Sequence, residues 1–345
     1  MNIAWKEMKK SKARFLILGS IVFLVSLLTF IISGLANGLS QESAGLIKDL
    51  PDGHIFLTKE ANQTYSMSRI DHSIQNQILS KQKDATAFSI QMGFLNGSDG
   101  KQQSVAFVTA TRSKWFKNVE KGEIVLDKSM EDDGIKIGDV LTNNQYKGEF
   151  VVKGFVKHSS KYSHASVAYI SMEDYKEIYG TDEMQIMFIP EKGTVPSFSG
   201  MESFSNDQFL NTISSYKSEQ MSLNMIIWFL VVISGMLFAI FFYMMNIQKI
   251  GLYGILKAMG VKTSWLFKIM WTQMMFITVI ALSISISLSQ IFNRLAPKGM
   301  PFSLTVETSV QLSVVFLIIG FFGATLSGLQ IKTVQPLQAI QQGEA

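Results

Sequence analysis

Cysteine is absent from the 345-residue chain. That excludes disulfides, a thiolate metal site and a cysteine nucleophile, and it suits an exposed domain that folds without an oxidising system. Charge is scarce. Only 17% of residues are charged against 47% hydrophobic, too apolar for a soluble chain of this length. The signatures of catalysis are missing too. No G-x-x-x-x-G-K-[ST] loop occurs, and the stretch from Gly93 to Lys101 has the wrong spacing and a glutamine after its lysine. H-E-x-x-H and G-x-S-x-G are also absent. The expectation is a chain without catalytic residues, resident metal or intrinsic cofactor. Histidine is limited to His54, His72, His158 and His164. His158 and His164 are close enough in sequence to meet in space, but with no third ligand in view they read as solvated loop residues. The net charge of +4 comes from lysines and arginines beside the apolar runs, not from a basic stripe interleaved with aromatics, so nucleic acid is not an expected partner.

What the chain has is four long apolar runs, spaced as one and then three. They begin at Phe15, Met221, Trp265 and Val310, and each reaches the roughly 20 residues a helix needs to cross hydrocarbon. The expected fold is an α-helical membrane protein with four spans and an α+β extracytoplasmic domain between the first and second. Its expected divisions are a cytoplasmic N-terminus (1–14), a first span (15–39), the extracytoplasmic domain (40–215) and a second span (216–247). A cytoplasmic segment (248–264), third span (265–292), outer loop (293–309), fourth span (310–330) and cytoplasmic tail (331–345) follow.

Lysine and arginine set the orientation. Lys6, Lys9, Lys10, Lys12 and Arg14 precede the first span, and Lys249, Lys257, Lys262 and Lys268 surround the 248–264 segment. Only Arg294 and Lys298 lie between the last two spans, and Lys332 follows the last. Both termini and 248–264 are therefore expected in the cytoplasm of a plasma-membrane protein, with 40–215 outside. Gly34 and Ala36 resemble small residues at a signal cleavage site, but the apolar core is longer than a signal peptide uses, so a retained anchor is expected.

Within 40–215, alternation predicts strands at His54–Lys59, Ala85–Phe94 and Ser104–Thr109, with shorter ones at 122–126, 139–141, 149–156 and 167–171. Helices are predicted over Asp71–Ser80 and Met172–Tyr179, the latter capped by Ser171. The segment 246–264 (NIQKIGLYGILKAMGVKTS) predicts a short helix with an apolar side formed by Ile250, Tyr253, Leu256, Ala258 and Met259, ended by Gly260. Such a helix either docks in a partner's groove or lies in the membrane interface.

The segment Tyr253-Gly-Ile-Leu-Lys-Ala-Met-Gly260 resembles the "G-I-L-(R/K)-A-(L/M)-G" segment of FtsX/MacB-like permeases, the type VII ABC transporters. The tail from Val334 to Ile340 is similar to that family's "P-x-x-A-(L/I)" ending, and Gly122–Lys128 with Gly134–Leu141 to a passage of its outer domain. The arginine–glutamate pair usual before the motif is replaced here by Ile250–Tyr253, so no specific ion pair with an ATPase is carried over. Residues 33–39, 162–166 and 215–225 resemble the haem-exporting, HrtB-type branch of the family.

The resemblance implies a permease homodimer coupled to two copies of a cytoplasmic ABC ATPase, with ATP and Mg on that partner. It implies haem as substrate, taken sideways from the outer leaflet of the membrane lipid. Export of a peptide, lipid or other amphiphile stays open. So does an FtsX-like mechanotransmitter that regulates an external partner without transport. Tyr253, Ile255, Leu256, Lys257, Ala258, Met259 and Gly260 become the ATPase-coupling residues. Tyr216 and Glu219, three apart and so on one helix face, become candidate haem-binding residues, with Phe30, Asn37, Met221 and Met225 at similar depth. A carboxylate so near hydrocarbon is costly unless paired. The plainer readings are an interfacial tyrosine, a solvated glutamate, lipid-facing methionines and a packing phenylalanine. Gly34 and Gly38 permit close helix packing, within one subunit or at a dimer seam.

Overall fold

The structure, a computed structural model, describes residues 8–9, 11–82, 84–97, 100–156, 160–190, 197–297 and 299–333, with backbone alone at 330–333. Lys6, Lys10, His158, Lys298 and the tail motif from Val334 lie outside the described residues. The elements, in order, are α1 (Lys12–Lys48), β1 (His54–Thr58), α2 (His72–Lys81), β2 (Thr86–Asn96), β3 (Gln102–Ala110), β4 (Glu123–Leu126), α3 (Lys128–Asp132), β5 (Val140–Thr142), β6 (Glu149–Phe155) and β7 (Lys161–Tyr162). There follow β8 (Ala165–Tyr169), α4 (Met172–Tyr179), β9 (Ile186–Ile189), β10 (Met201–Ser205), α5 (Asn206–Leu210), α6 (Ser214–Ile247), α7 (Ile250–Ala258), α8 (Thr263–Leu295) and α9 (Val306–Thr333). The chain forms two compact units, Leu39–Gln220 and the remainder.

The span unit holds the apolar parts of α1, α6, α8 and α9, all long and apolar enough to cross a membrane. Phe15, Leu18 and Val22 of α1 are buried with Phe238 and Phe242 of α6, and with Leu266, Met270, Met274 and Ile277 of α8. Small residues draw α6 and α9 together: a Cβ at Gly323 would stand 2.9 Å from the Gly235 oxygen. Two polar contacts cross between helices. Ser26 and Ser285 hydroxyls lie 2.7 Å apart, and the Trp271 indole donates to Thr325 at 3.0 Å.

The second unit is a ten-stranded sheet in the order β10-β1-β9-β2-β3-β8-β4-β6-β5, with β7 paired to β8. A further pairing, Asn96 with Thr142, joins β2 to β5 and turns six of the strands into a closed ring. Alternation along β3 sends Val105 and Phe107 into one core with Ile124, Phe150 and Tyr175. Ala106 and Val108 face a second core with Ile55, Phe88, Phe188 and Phe209. Full burial of one such side chain is worth about 1.5–3 kcal/mol.

Ser171 caps α4, accepting from the Asp174 N–H at 3.0 Å. The buried Asp174 carboxylate in turn accepts from Ser171 Oγ, the Gly122 N–H and the Tyr146 hydroxyl. Burial, and then this carboxylate, push the Tyr146 phenol above its ordinary range. Gly122 reaches the carboxylate with φ +74°, a conformation that favours glycine.

Several expectations shift. The helix beginning in the first span runs on to Lys48, with non-helical dihedrals at Ala44 (φ −145°, ψ 15°). Strands β7, β9 and β10 and helices α3 and α5 were not among the predicted elements. In β9 every residue is buried, so Ile186–Ile189 has no polar alternation to betray it.

Candidate functional site

The site is built where the end of α1, the β7–β8 hairpin and the start of α6 come together in the second unit. Tyr216 and Glu219 each meet a serine of α1. The Tyr216 hydroxyl lies 3.1 Å from Ser40 Oγ, and Ser43 Oγ donates to Glu219 Oε2 at 2.6 Å. A basic side chain completes each pair. Lys48 donates to Ser40 Oγ at 2.8 Å. His164 Nε2 stands 3.0 Å from Ser43 Oγ and 3.5 Å from Glu219 Oε2.

Ser43 has one hydrogen, and it goes to the carboxylate, so its oxygen accepts from His164. The network therefore places a proton on Nε2. The Glu219 side chain keeps 21% of its exposure and that of His164 48%. Both are held by bonds while remaining open to a ligand.

The hairpin is forced into place. Tyr162 pairs with Ala165, so Ser163 and His164 form a two-residue turn, and both have positive φ (50° and 63°). That is the type I′ geometry, which favours Asn-Gly over Ser-His. Three contacts hold the turn against α1. The Ser163 N–H donates to the Ser43 oxygen at 2.8 Å and the His164 N–H to the Glu42 oxygen at 3.1 Å. Lys161 pairs with Glu42 at 2.6 Å, both largely buried. These two carbonyls lie beside Ala44, so donors inserted from the hairpin account for the break in the helix. Replacing Ser163 and His164 by Asn-Gly is expected to raise stability by about 1–2 kcal/mol, seen as a higher Tm, because it removes strain. It would also remove the imidazole.

The other candidate residues lie in the span unit. Phe30 is fully buried against Phe316, Leu282 and Leu304. It is corrected to a packing residue, since no ligand can reach it. The Asn37 amide donates to Thr308 at 3.1 Å, holding the start of α9. Met221 and Met225 are exposed, at 69% and 56%, on the same face of α6 as Trp228. Gly34 and Gly38 meet a loop, not a helix: a Cβ at either would fall on Phe302 or the Pro301 carbonyl. The Ser303 N–H also donates to the Gly34 oxygen at 2.9 Å.

Helix α7 sorts the coupling residues by face. Tyr253 is buried and its hydroxyl donates to Asn246 Oδ1 at 3.3 Å. Leu256 packs on the same core, and Lys257 is half-buried. Ala258 and Gly260 are exposed. Leu252, Ile255 and Met259 are exposed at 51%, 48% and 67% and recur at i, i+3 and i+7, a single apolar stripe. Gly260 ends the helix with φ +88°; its N–H donates to the Lys257 oxygen and that of Val261 to the Leu256 oxygen, a Schellman ending.

Residues 224–336, which cover most of α6 and the helices after it, match the family described as FtsX-like permease C-terminal. The chain is 30% identical over 354 residues to a protein of Staphylococcus haemolyticus named as a hemin transport system permease protein, HrtB, covering 99% of both chains. A Staphylococcus epidermidis protein of the same name is 27% identical over 357 residues, covering 100% of both. The chain belongs to the FtsX-like permease family. Among solved structures, the periplasmic region of MacB from Actinobacillus actinomycetemcomitans is similar at TM-score 0.34 and 15% identity, covering 46% of this chain and 91% of that one.

Three groups of this permease were missed from sequence. His164, expected as a solvated loop residue, bonds to Ser43, a residue outside the sequence-predicted site. The signal for His164 was present in the string Tyr162–Ser166, which resembles the haem-exporting branch. Leu252, outside the family motif, was findable from its spacing to Ile255 and Met259.

Proposed function

We propose that this permease is the membrane subunit of an ABC exporter that takes haem from the membrane and expels it. The observation that carries the reading is that α1 holds a carboxylate (Glu219) and an imidazole (His164) through Ser43, and a phenol (Tyr216) through Ser40 one turn earlier. A haem iron accepts O and N ligands of these kinds, and the relatives named for hemin transport point to the same cargo. Ser43 orients Glu219, and Lys48 supplies a positive charge suited to a porphyrin carboxylate. In this reading two permease copies work as a homodimer, haem arrives sideways from the outer leaflet, and both termini lie in the cytoplasm.

ATP is hydrolysed by two copies of a separate ATPase that grips α7. The Leu252–Ile255–Met259 stripe is its natural contact, because these apolar side chains face away from their own core. Ile255→Asp with Met259→Asp is expected to lower co-purification of the ATPase at least 10-fold, the loss from burying two unpaired charges, while the permease still folds. Unchanged co-purification would remove α7 as the coupling element.

The cargo is tested by titrating haem into the purified permease and reading the Soret band. A saturable, shifted band is expected. Absence of any band, with a second protein retained by residues 40–215, would favour a mechanotransmitter; a competing amphiphile that displaces haem would favour broader export.

A further inference from the structure

Between Glu219 and Glu307 the chain contains no aspartate or glutamate, yet four lysines, Lys249, Lys257, Lys262 and Lys268, cluster around α7 and the start of α8. Two of them share a cavity. A volume of about 770 Å³ at the head of α8 is lined by Val261, Lys262, Ser264, Trp265, Lys268 and Trp271. Lys262 and Lys268 are exposed, and neither belongs to an ion pair found among the described residues. Among the described residues the lining carries two positive charges and no negative one.

Its walls are as informative as its charges. Trp265, Lys268 and Trp271 recur at i, i+3 and i+6, a stripe along one side of α8, with Val261 and Lys262 just before the helix begins. From Trp265 to Trp271 that stripe covers about 9 Å at 1.5 Å per residue. It therefore runs from the first to the third turn of a helix long and apolar enough to cross a membrane. The Trp271 indole N–H is already used by Thr325, and its ring is fixed against Phe321, 4.7 Å between centroids. What the ring offers the cavity is apolar wall. A site with cations at the mouth and a fixed aromatic wall below fits a molecule with an anionic head and a hydrocarbon body.

We propose that this cavity binds an anionic phospholipid, its phosphate between Lys262 and Lys268 and an acyl chain along Trp265 and Trp271. Interfacial lysines attract anionic lipid and interfacial tryptophans anchor at headgroup depth; here the two are joined in one concavity. Cations at the head of a membrane-crossing helix joined to an aromatic wall along it favour lipid over a soluble partner as the occupant. The proposal uses only the membrane-crossing character of α8, so it stands apart from the haem reading.

Full-length permease in detergent is titrated with phosphatidylglycerol, with phosphatidylcholine of the same chains and with inorganic phosphate, and bound lipid is counted by native mass spectrometry. Phosphatidylglycerol is expected to bind saturably, and Lys262→Gln/Lys268→Gln to weaken it roughly 30-fold, about 5-fold per lysine. Lys262→Arg/Lys268→Arg is expected to keep it, phosphatidylcholine to be insensitive to either pair, and phosphate not to compete. Thermal unfolding of the Gln pair without lipid, unchanged from the parent, shows that folding is intact. Equal phosphatidylglycerol binding in parent and Gln variant overturns the proposal, as does displacement by phosphate alone. Loss of the ATPase with lipid retained overturns it too and gives the lysines to that partner.

Discussion

Tyr216→Ala combined with Glu219→Ala is expected to abolish the Soret band of haem titrated into the purified permease, with affinity down more than about 100-fold. The size follows from what the pair does. Losing a partner that merely orients a metal ligand costs about 10–100-fold, and this double change would remove both of the proposed oxygen ligands at once. Ser43→Ala isolates the orienting part: Glu219 loses its 2.6 Å donor but keeps its charge, so a loss within that 10–100-fold range is expected. Glu219→Gln retains the bond from Ser43 and serves as a folding control. The readout is the Soret position and the dissociation constant from the same titration. An intact band in a folded double variant would take the haem site away from this cluster.

The second large effect concerns Gly38. A Cβ there would fall on the Pro301 carbonyl, with the Phe302 nitrogen 2.5 Å away. Backbone atoms cannot rotate aside as a side chain can, so Gly38→Ala is expected to cost about 3 kcal/mol, the upper end of ordinary overpacking. Gly38→Leu is expected to leave no folded permease, since total stabilities are only about 5–15 kcal/mol. Thermal unfolding and yield of monodisperse protein measure this. A Leu variant that folds normally but fails to dimerise would reassign Gly38 from the loop contact to a subunit seam.

The second prediction also marks where sequence reading stopped. The spacing of Gly34 and Gly38 announced a close approach but not its partner, because a small-residue pair presents the same open surface to a helix, a loop or another subunit. Glu219 and Tyr216 were legible as suspects from their spacing and their place at the edge of a span. Their serines were not, since serine near a span end is ordinary, and Ser43 matters only because it lies between Glu219 and His164. Phe30 shows the reverse: its depth matched the site, but nothing local to the sequence told whether the ring faced a ligand or the core.

Alone, the sequence determined the four spans, the domain between the first two, the α7 helix with its glycine stop, and the family. These are properties of length, hydropathy and short-range spacing, all carried by neighbouring residues. Only the tertiary structure decided that Ser43, His164 and Glu219 meet, across separations of 121 and 176 residues. That contact depends on a two-residue turn held at positive φ and on a helix broken at Ala44, each made possible by the other. Both strained features exist because donors and acceptors from distant segments satisfy one another there, and such pairing leaves no trace in the order of the residues.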